Sequence, residues 1–349
     1  MTAAHIVSPD DERRHAIGPE DLWSESYYAD FVHEDGTFGG WLRVGLYPNR
    51  QVAWWTTWIV GPDRPGVCSV SYHLPVPEGD GLVVADGTTR IELDLLRPLH
   101  EFRIAASAPA EIFDRPEDVY AGKAGARAQL DVDLTWTTDG TPYHYDLTTR
   151  YEIPCTVTGT VSIDGETLAV DGQGQRDHSW GERDWWAFGW CWSSGRLHDG
   201  TRVHLADIRI PGFPVAFGYV QSPDFGGGGS DGSESGGEGG AGGHHGWVHS
   251  INELAVSEVI GDHGFPRSAR ITLAAGEGGD GGPVGHIALT VTPLAFGPVL
   301  FRNDDGRLSR FPRAMVRFDA DDGRTGMGWI EWNQPEPLDE PEPFGEVDP

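Results

Sequence analysis

Apolar and polar residues alternate over short stretches of this chain, and Gly, Pro or Asp-Gly punctuation recurs about every ten residues. Few windows place apolar residues at i, i+3, i+4 and i+7, so helices are scarce. The pattern predicts an antiparallel sandwich or barrel. In the first half, residues 40–47 and 51–60 read as two strands joined by a tight turn at Pro48-Asn49. Further strands are expected at 81–85, 89–95, 101–106 and 129–137, with a short helix or a loop at 112–127. A second unit opens near Tyr151, where 156–163 and 167–170 form a hairpin around Asp164-Gly165. Later strands are predicted at 185–193, 202–210, 215–220, 270–274, 286–292, 315–319 and 326–332. The expected organisation is an N-terminal extension (1–19), a first unit (20–148) and a second unit (149–333). A Gly-rich insert at 224–246 reads as a flexible loop, and an acidic, Pro-rich tail at 334–349 reads as disordered.

Charge narrows the function classes. The chain of 349 residues carries a net charge of -29, and Lys123 is its only lysine. A polyanion of this kind repels nucleic acid and anionic lipid surfaces. Cys68, Cys155 and Cys191 are too few for a disulfide framework and read as reduced thiols, which favours a cytoplasmic location. No signal peptide and no apolar run of transmembrane length is evident. Metal and cofactor motifs are weak, and none is expected to operate. His245 and His249 straddle the end of the Gly-rich insert, the Gly-x-Ser-x-Gly match around Ser230 lies inside it, and the Gly run at 226–229 follows no strand.

Candidate chemistry concentrates in 172–210. Read as a strand, 184–192 puts Trp186, Phe188, Trp190 and Trp192 on one face, a wall that suits an apolar ligand or a filled core equally. Upstream, Arg176, Asp177, His178 and Ser179 sit between glycines and that wall, with Arg176, His178 and Trp180 on one face. Downstream, Asp207 lies mid-strand among apolar neighbours. Either Arg209 neutralises it, or desolvation raises its pKa and makes it an acid. Glu331, in a late strand, supplies a second carboxylate or a rim salt bridge.

The Gly-Gln-Arg-Asp-His-Ser-Trp-Gly block at 174–181 resembles the carotenoid 1,2-hydratase-like superfamily, which includes hydroxyneurosporene synthase and the AttH-like proteins. The resemblance spans 20–333 and implies an all-β fold of two tandem lipocalin-like (calycin-type) antiparallel barrels. In the hydratases a His-x-Trp motif is followed by a Tyr-x-Asp motif. His178 and Trp180 match the first and Asp207 the acid of the second, while Leu205 stands where the tyrosine is expected. The resemblance implies His178 and Asp207 as catalytic residues. Trp180, Trp186, Phe188, Trp190, Trp192 and Leu205 would line the ligand pocket, with Arg176, Asp177, Arg209 and Glu331 in support. Three readings stay open. They are an acid-catalysed hydratase, isomerase or cyclase acting on an unsaturated isoprenoid- or steroid-like molecule, a carrier of an apolar ligand, and a scaffold without a ligand. None involves nucleic acid or a metal, and none fixes an oligomeric state.

Overall fold

The computed structural model describes residues 7–145, 147–223, 247–276 and 285–337. Its first half contains strands β1 (Trp23–His33), β2 (Gly39–Tyr47), β3 (Val52–Gly61), β4 (Arg64–Leu74), β5 (Val83–Ala85), β6 (Arg90–Arg97), β7 (Glu101–Phe113), β8 (Ala126–Thr138), β9 (Tyr143–His144), β10 (Arg150–Ile163) and β11 (Glu166–Glu182). The second half follows the same plan. It runs through β12 (Gly189–Leu197), β13 (Arg202–Arg209), β14 (Val215–Gln221), β15 (Val248–Ile260), β16 (Pro266–Ala275), β17 (Gly285–Phe296), β18 (Val299–Arg302), β19 (Leu308–Phe311), β20 (Arg313–Ala320) and β21 (Thr325–Pro335). Helical structure among the described residues amounts to single turns, one at Pro116–Val119 where the sequence left a helix or a loop. None is long and apolar enough to cross a membrane.

Two antiparallel rings result, the tandem-barrel architecture expected from the sequence. The first runs β4-β3-β2-β1-β11-β10-β8-β7 and closes through β4 on β7. The second runs β12-β13-β14-β15-β16-β17-β20-β21 and closes through β12 on β21. Closure removes the exposed edges that an open sheet would present. The hairpin of β10 and β11 turns on Asp164 (φ 50°) and Gly165 (φ 85°), both left-handed as a two-residue turn requires.

The hairpin's position corrects the expected boundary. β10 pairs with β8 from Ile163↔Leu130 to Cys155↔Thr138, and β11 pairs with β1 from Trp23↔Glu182 to His33↔Gly172. Without these two strands the edges of β1 and β8 stay unpaired, so the first barrel extends to Glu182 and not to 148. The N-terminal segment also belongs to it, because Val7 and Glu12 are buried there. At the other end β21 continues past Asn333 to Pro335, where Ser309 and Arg310 of β19 pair with it. The Gly-rich insert, with Ser230 and His245, and the tail beyond Pro337 lie outside the described residues.

Three apolar clusters divide the molecule. Tyr27, Phe31, Leu42, Trp55, Ile104 and Trp136 fill the first barrel, and Cys191, Leu205, Ile271, Val291 and Trp332 fill the second. Between the barrels lies a third cluster built on Tyr28, Trp41, Trp58, Trp192, Met315 and Trp329. Indole hydrogen bonds lock the two halves: Trp329 Nε1–H donates to Phe31 O at 2.9 Å, and Trp41 Nε1–H to Gly297 O at 3.1 Å. β1 is therefore buried on both faces, Tyr27, Ala29 and Phe31 inward, Tyr28 and Val32 toward the second barrel.

Candidate active site in the cleft between the barrels

Because the barrels meet along β1, β2, β10 and β11 on one side and β12, β13, β14 and β21 on the other, outward-facing residues of both enclose a cavity of about 470 Å³. Its walls are mostly aromatic and aliphatic. Tyr28 and Trp41 come from the first barrel, Trp190, Trp192, Ile208 and Phe217 from the second, and Leu147 and Phe213 stay exposed among its lining. Gly218 (φ +147°) lets β14 pass the β13 backbone, since a Cβ there would sit 2.1 Å from His204 O. Phe217 beside it lines the cleft, while Tyr219 is buried and donates to Gln175 Oε1 at 2.7 Å.

Charged groups interrupt the apolar lining at its first-barrel wall. Asp177 of β11 lines the cavity and accepts from Arg150 Nη2 at 2.7 Å. Burial outweighs that attraction and lifts its carboxyl to about 7, so a proton sits on it for part of the time at neutral pH. Behind it lies a fully enclosed hub. Glu152 accepts from Arg150 Nε (2.8 Å), Tyr145 O–H (2.9 Å), Trp192 Nε1–H (3.1 Å) and Gln175 Nε2 (2.7 Å). These donors hold its carboxylate below the usual range, Arg150 foremost, although burial alone would raise it. His204 lies with Nδ1 3.0 Å from Ser193 O and turns Nε2 to the Tyr145 hydroxyl. Burial pushes that imidazole down to about 4, so it is neutral. Across the cleft Glu331 pairs with Arg313 and accepts Trp190 Nε1–H at 2.9 Å, while Arg313 lies over the rings of Trp41 (4.3 Å) and Tyr28 (4.6 Å).

Asp30 lies close by and gives a direct test of these electrostatics. Tyr28 O–H donates to its Oδ2 at 3.0 Å and Gln175 N–H to its Oδ1 at 2.9 Å, yet complete burial lifts the carboxyl to about 7. Between about pH 4 and pH 7 the folded chain keeps a proton that the unfolded chain has released, so this group's contribution to stability falls as pH rises through that window. Asp30→Asn lacks the group. The variant is expected to gain on the wild type by up to roughly 4 kcal/mol across those pH values and to run parallel above them. Urea unfolding at several pH values checks this, and a pH-independent difference would mean that Asp30 is ionised throughout.

The family described as domain of unknown function DUF7064 matches residues 8–336. The chain belongs to that family. No curated protein matches the sequence. Among solved structures, the Nitrosomonas europaea protein described as an AttH shares 13% identity over 95% of this chain and 98% of its own, with a TM-score of 0.60. Kievitone hydratase from Nectria haematococca shares 11% identity over 95% and 93%, with a TM-score of 0.57. CghA shares 10% over 90% and 88%, at 0.50. The DUF7064 chain thus has the AttH-like two-barrel fold that the motif block at 174–181 implied.

Within the DUF7064 fold the residues singled out from sequence fall into two groups. Asp177, Ser179, Phe188, Trp190, Trp192 and Glu331 line the cleft. The rest point elsewhere. His178 faces into the first barrel, stacked on Tyr27 at 4.1 Å, with Nε2 2.6 Å from Glu25 Oε1 and Nδ1 3.3 Å from the Tyr151 hydroxyl. Trp180 stacks there on His15 at 3.6 Å, and Arg176 Nη1 donates to Glu12 at 2.5 Å. Leu205 is in the core of the second barrel, where Asp207 pairs with Arg209 (2.9 Å) and Arg209 also meets Glu258. His178 and Asp207 therefore occupy different barrels and do not converge, because a strand alternates its faces and both fall on the inward one. Trp186 is buried in a turn, not a strand: 185–188 leave the sheet, and β12 starts at Gly189.

Among the described residues, one group combines metal-ligand side chains closely enough to hold a cation. His15, Glu25 and His178 place one atom each within 4.8 Å of the others. Both imidazoles already share Glu25 Oε1, at 2.9 and 2.6 Å, and the cluster serves as a hydrogen-bond hub of the first barrel. Sequence reasoning missed Tyr28, Arg43, Arg150, Glu152, Arg183, His204 and Arg313. The available signal was Glu152, a lone acid within the apolar run from Tyr151 to Cys155.

Proposed function

We propose that the cleft between the barrels is the active site of an acid-catalysed hydratase, isomerase or cyclase acting on an unsaturated, largely apolar small molecule, with Asp177 as the proton donor. One observation carries this reading: a carboxyl lifted to about 7 by burial lines an aromatic cavity large enough for such a substrate. The acid role assigned to Asp207 from sequence passes to Asp177, since Asp207 is neutralised by Arg209 away from the cleft. The proton leaves Asp177 for a substrate carbon, and Arg150 stabilises the carboxylate left behind. Water capture completes a hydration, proton loss an isomerisation and internal attack a cyclisation. Kievitone hydratase, named for a hydration, has a similar fold, which supports the class without fixing the substrate.

The test is incubation with conjugated polyenes, steroids and unsaturated acids in D₂O, with mass spectrometry of the products. Deuterium gained at carbon, with or without added water, is the expected result. Ligand recovered bound but unchanged would favour a carrier, and a protein that neither binds nor converts any of them would remove the cleft from consideration.

A further inference from the structure

We infer that the substrate of the cleft carries an anionic oxygen group, a carboxylate or an enolate, received by Arg43 and Arg183. This rests on the reading of the cleft as an active site and narrows its substrate class. Four guanidinium groups line the cavity: Arg43, Arg150, Arg183 and Arg313. Two are neutralised. Arg150 is shared by Glu152 and Asp177, and Arg313 is paired with Glu331. The other two form no ion pair among the described residues.

Arg43 donates from Nη2 to the Tyr47 hydroxyl at 3.2 Å and lies over the Trp185 ring at 4.7 Å, and its Nη1 is buried without a hydrogen-bond partner. Arg183 reaches only Thr148 Oγ1 (3.5 Å) and Glu182 O (3.3 Å) through Nη1, and its Nη2 is likewise buried and unpartnered. Burial, then the nearby positive charges of Arg150 and Arg43, pulls the Arg183 guanidinium down to about 10. The carboxylates around them relieve this only in part, Asp177 being the one that pulls the other way. Glu182 and Asp184 line the cavity but are exposed, Asp184 Oδ1 accepts the Trp186 backbone N–H at 2.9 Å, and Asp177 is held by Arg150. When Asp177 carries the proton that an acid must donate, the positive excess grows by one.

An excess of buried cation disfavours a developing carbocation and favours a developing oxyanion. A hydrocarbon polyene therefore fits this wall less well than a substrate whose double bonds are conjugated to an acidic oxygen. In that case water adds to the conjugated double bond, the displaced π electron pair moves to the oxygen held by Arg43 and Arg183, and Asp177 then gives its proton to the carbon beside that group and takes back the proton that the added water loses. No oxidant or second substrate other than water is required.

All-trans-retinoate and all-trans-retinol share one body and differ in the head group, so they serve as probes through quenching of the cleft tryptophans. Retinoate is expected to bind about tenfold more tightly than retinol, the worth of one charge-assisted hydrogen bond. Arg43→Gln and Arg183→Gln should each shrink that ratio while leaving retinol affinity within about twofold. Equal affinities in the wild type, or a ratio unchanged in both variants, would overturn the inference and leave the cleft as an apolar site. Failure of both retinoids to quench would instead count against the cleft itself. The wild-type ratio decides the matter even where a variant does not fold.

Discussion

Replacing Asp177 by asparagine is expected to lower turnover 10²- to 10⁴-fold, the usual contribution of a positioned proton donor, while leaving both barrels folded. Asparagine preserves the shape and still offers an oxygen to Arg150, which keeps Glu152 as its charged partner. In the wild type, turnover should fall about tenfold per pH unit above about 7, because only the protonated carboxyl is competent and burial sets its titration there. The Asp177→Asn variant should show no such limb in its residual activity. Asp207→Asn serves as the contrast: Asp207 sits with Arg209 in the second barrel, so its loss should leave turnover near the wild-type level. Product formation measured from pH 5 to pH 9 on the three proteins decides between them. Loss in Asp207→Asn with turnover retained in Asp177→Asn would return the acid role to Asp207.

Glu152→Ala is expected to destabilise the fold by ~3–5 kcal/mol, the range found when one partner of a buried charge pair is removed. Four donors converge on that carboxylate from β10, β11, β12 and the segment before β10: Arg150, Gln175, Trp192 and Tyr145. Alanine removes the acceptor shared by all four, and it does so at the seam between barrels, where Trp192 belongs to the second and Gln175 to the first. The loss should therefore appear in urea unfolding and in the near-ultraviolet signal of the tryptophans together. A cost below about 1 kcal/mol would mean that water replaces the carboxylate without difficulty.

The sequence made the fold class readable because most strands have one face on a barrel core and turn residues at their ends. The β2–β3 pair was legible from two apolar runs on either side of Pro48-Asn49, and the β10–β11 hairpin from Asp164-Gly165. β1 was not. In Trp-Ser-Glu-Ser-Tyr-Tyr-Ala-Asp-Phe-Val-His every residue but the last is buried, with polar and apolar side chains on both faces, so no period of two survives. The site was partly legible on the same terms. Trp190 and Trp192 share a face in β12 and line the cleft, but the alternation breaks at 185–188, where the chain leaves the sheet. For His178 and Asp207 the strand reading assigned faces correctly relative to their neighbours. Which face looked into a barrel and which toward the other barrel depends on long-range closure, and no local pattern carries that information.

A protein assembled in this way cannot be halved where its composition changes. Severing the polypeptide at residue 148 would hand the strands that complete one ring to the fragment holding the other, and neither piece would be a closed unit. A break after Glu182 would respect both rings, yet it would lay bare Trp41, Trp58, Trp192 and Trp329, a contiguous indole surface that an aqueous solvent penalises. The two barrels are thus distinct in topology and inseparable in practice, and whatever the cleft binds depends on keeping them in a single chain.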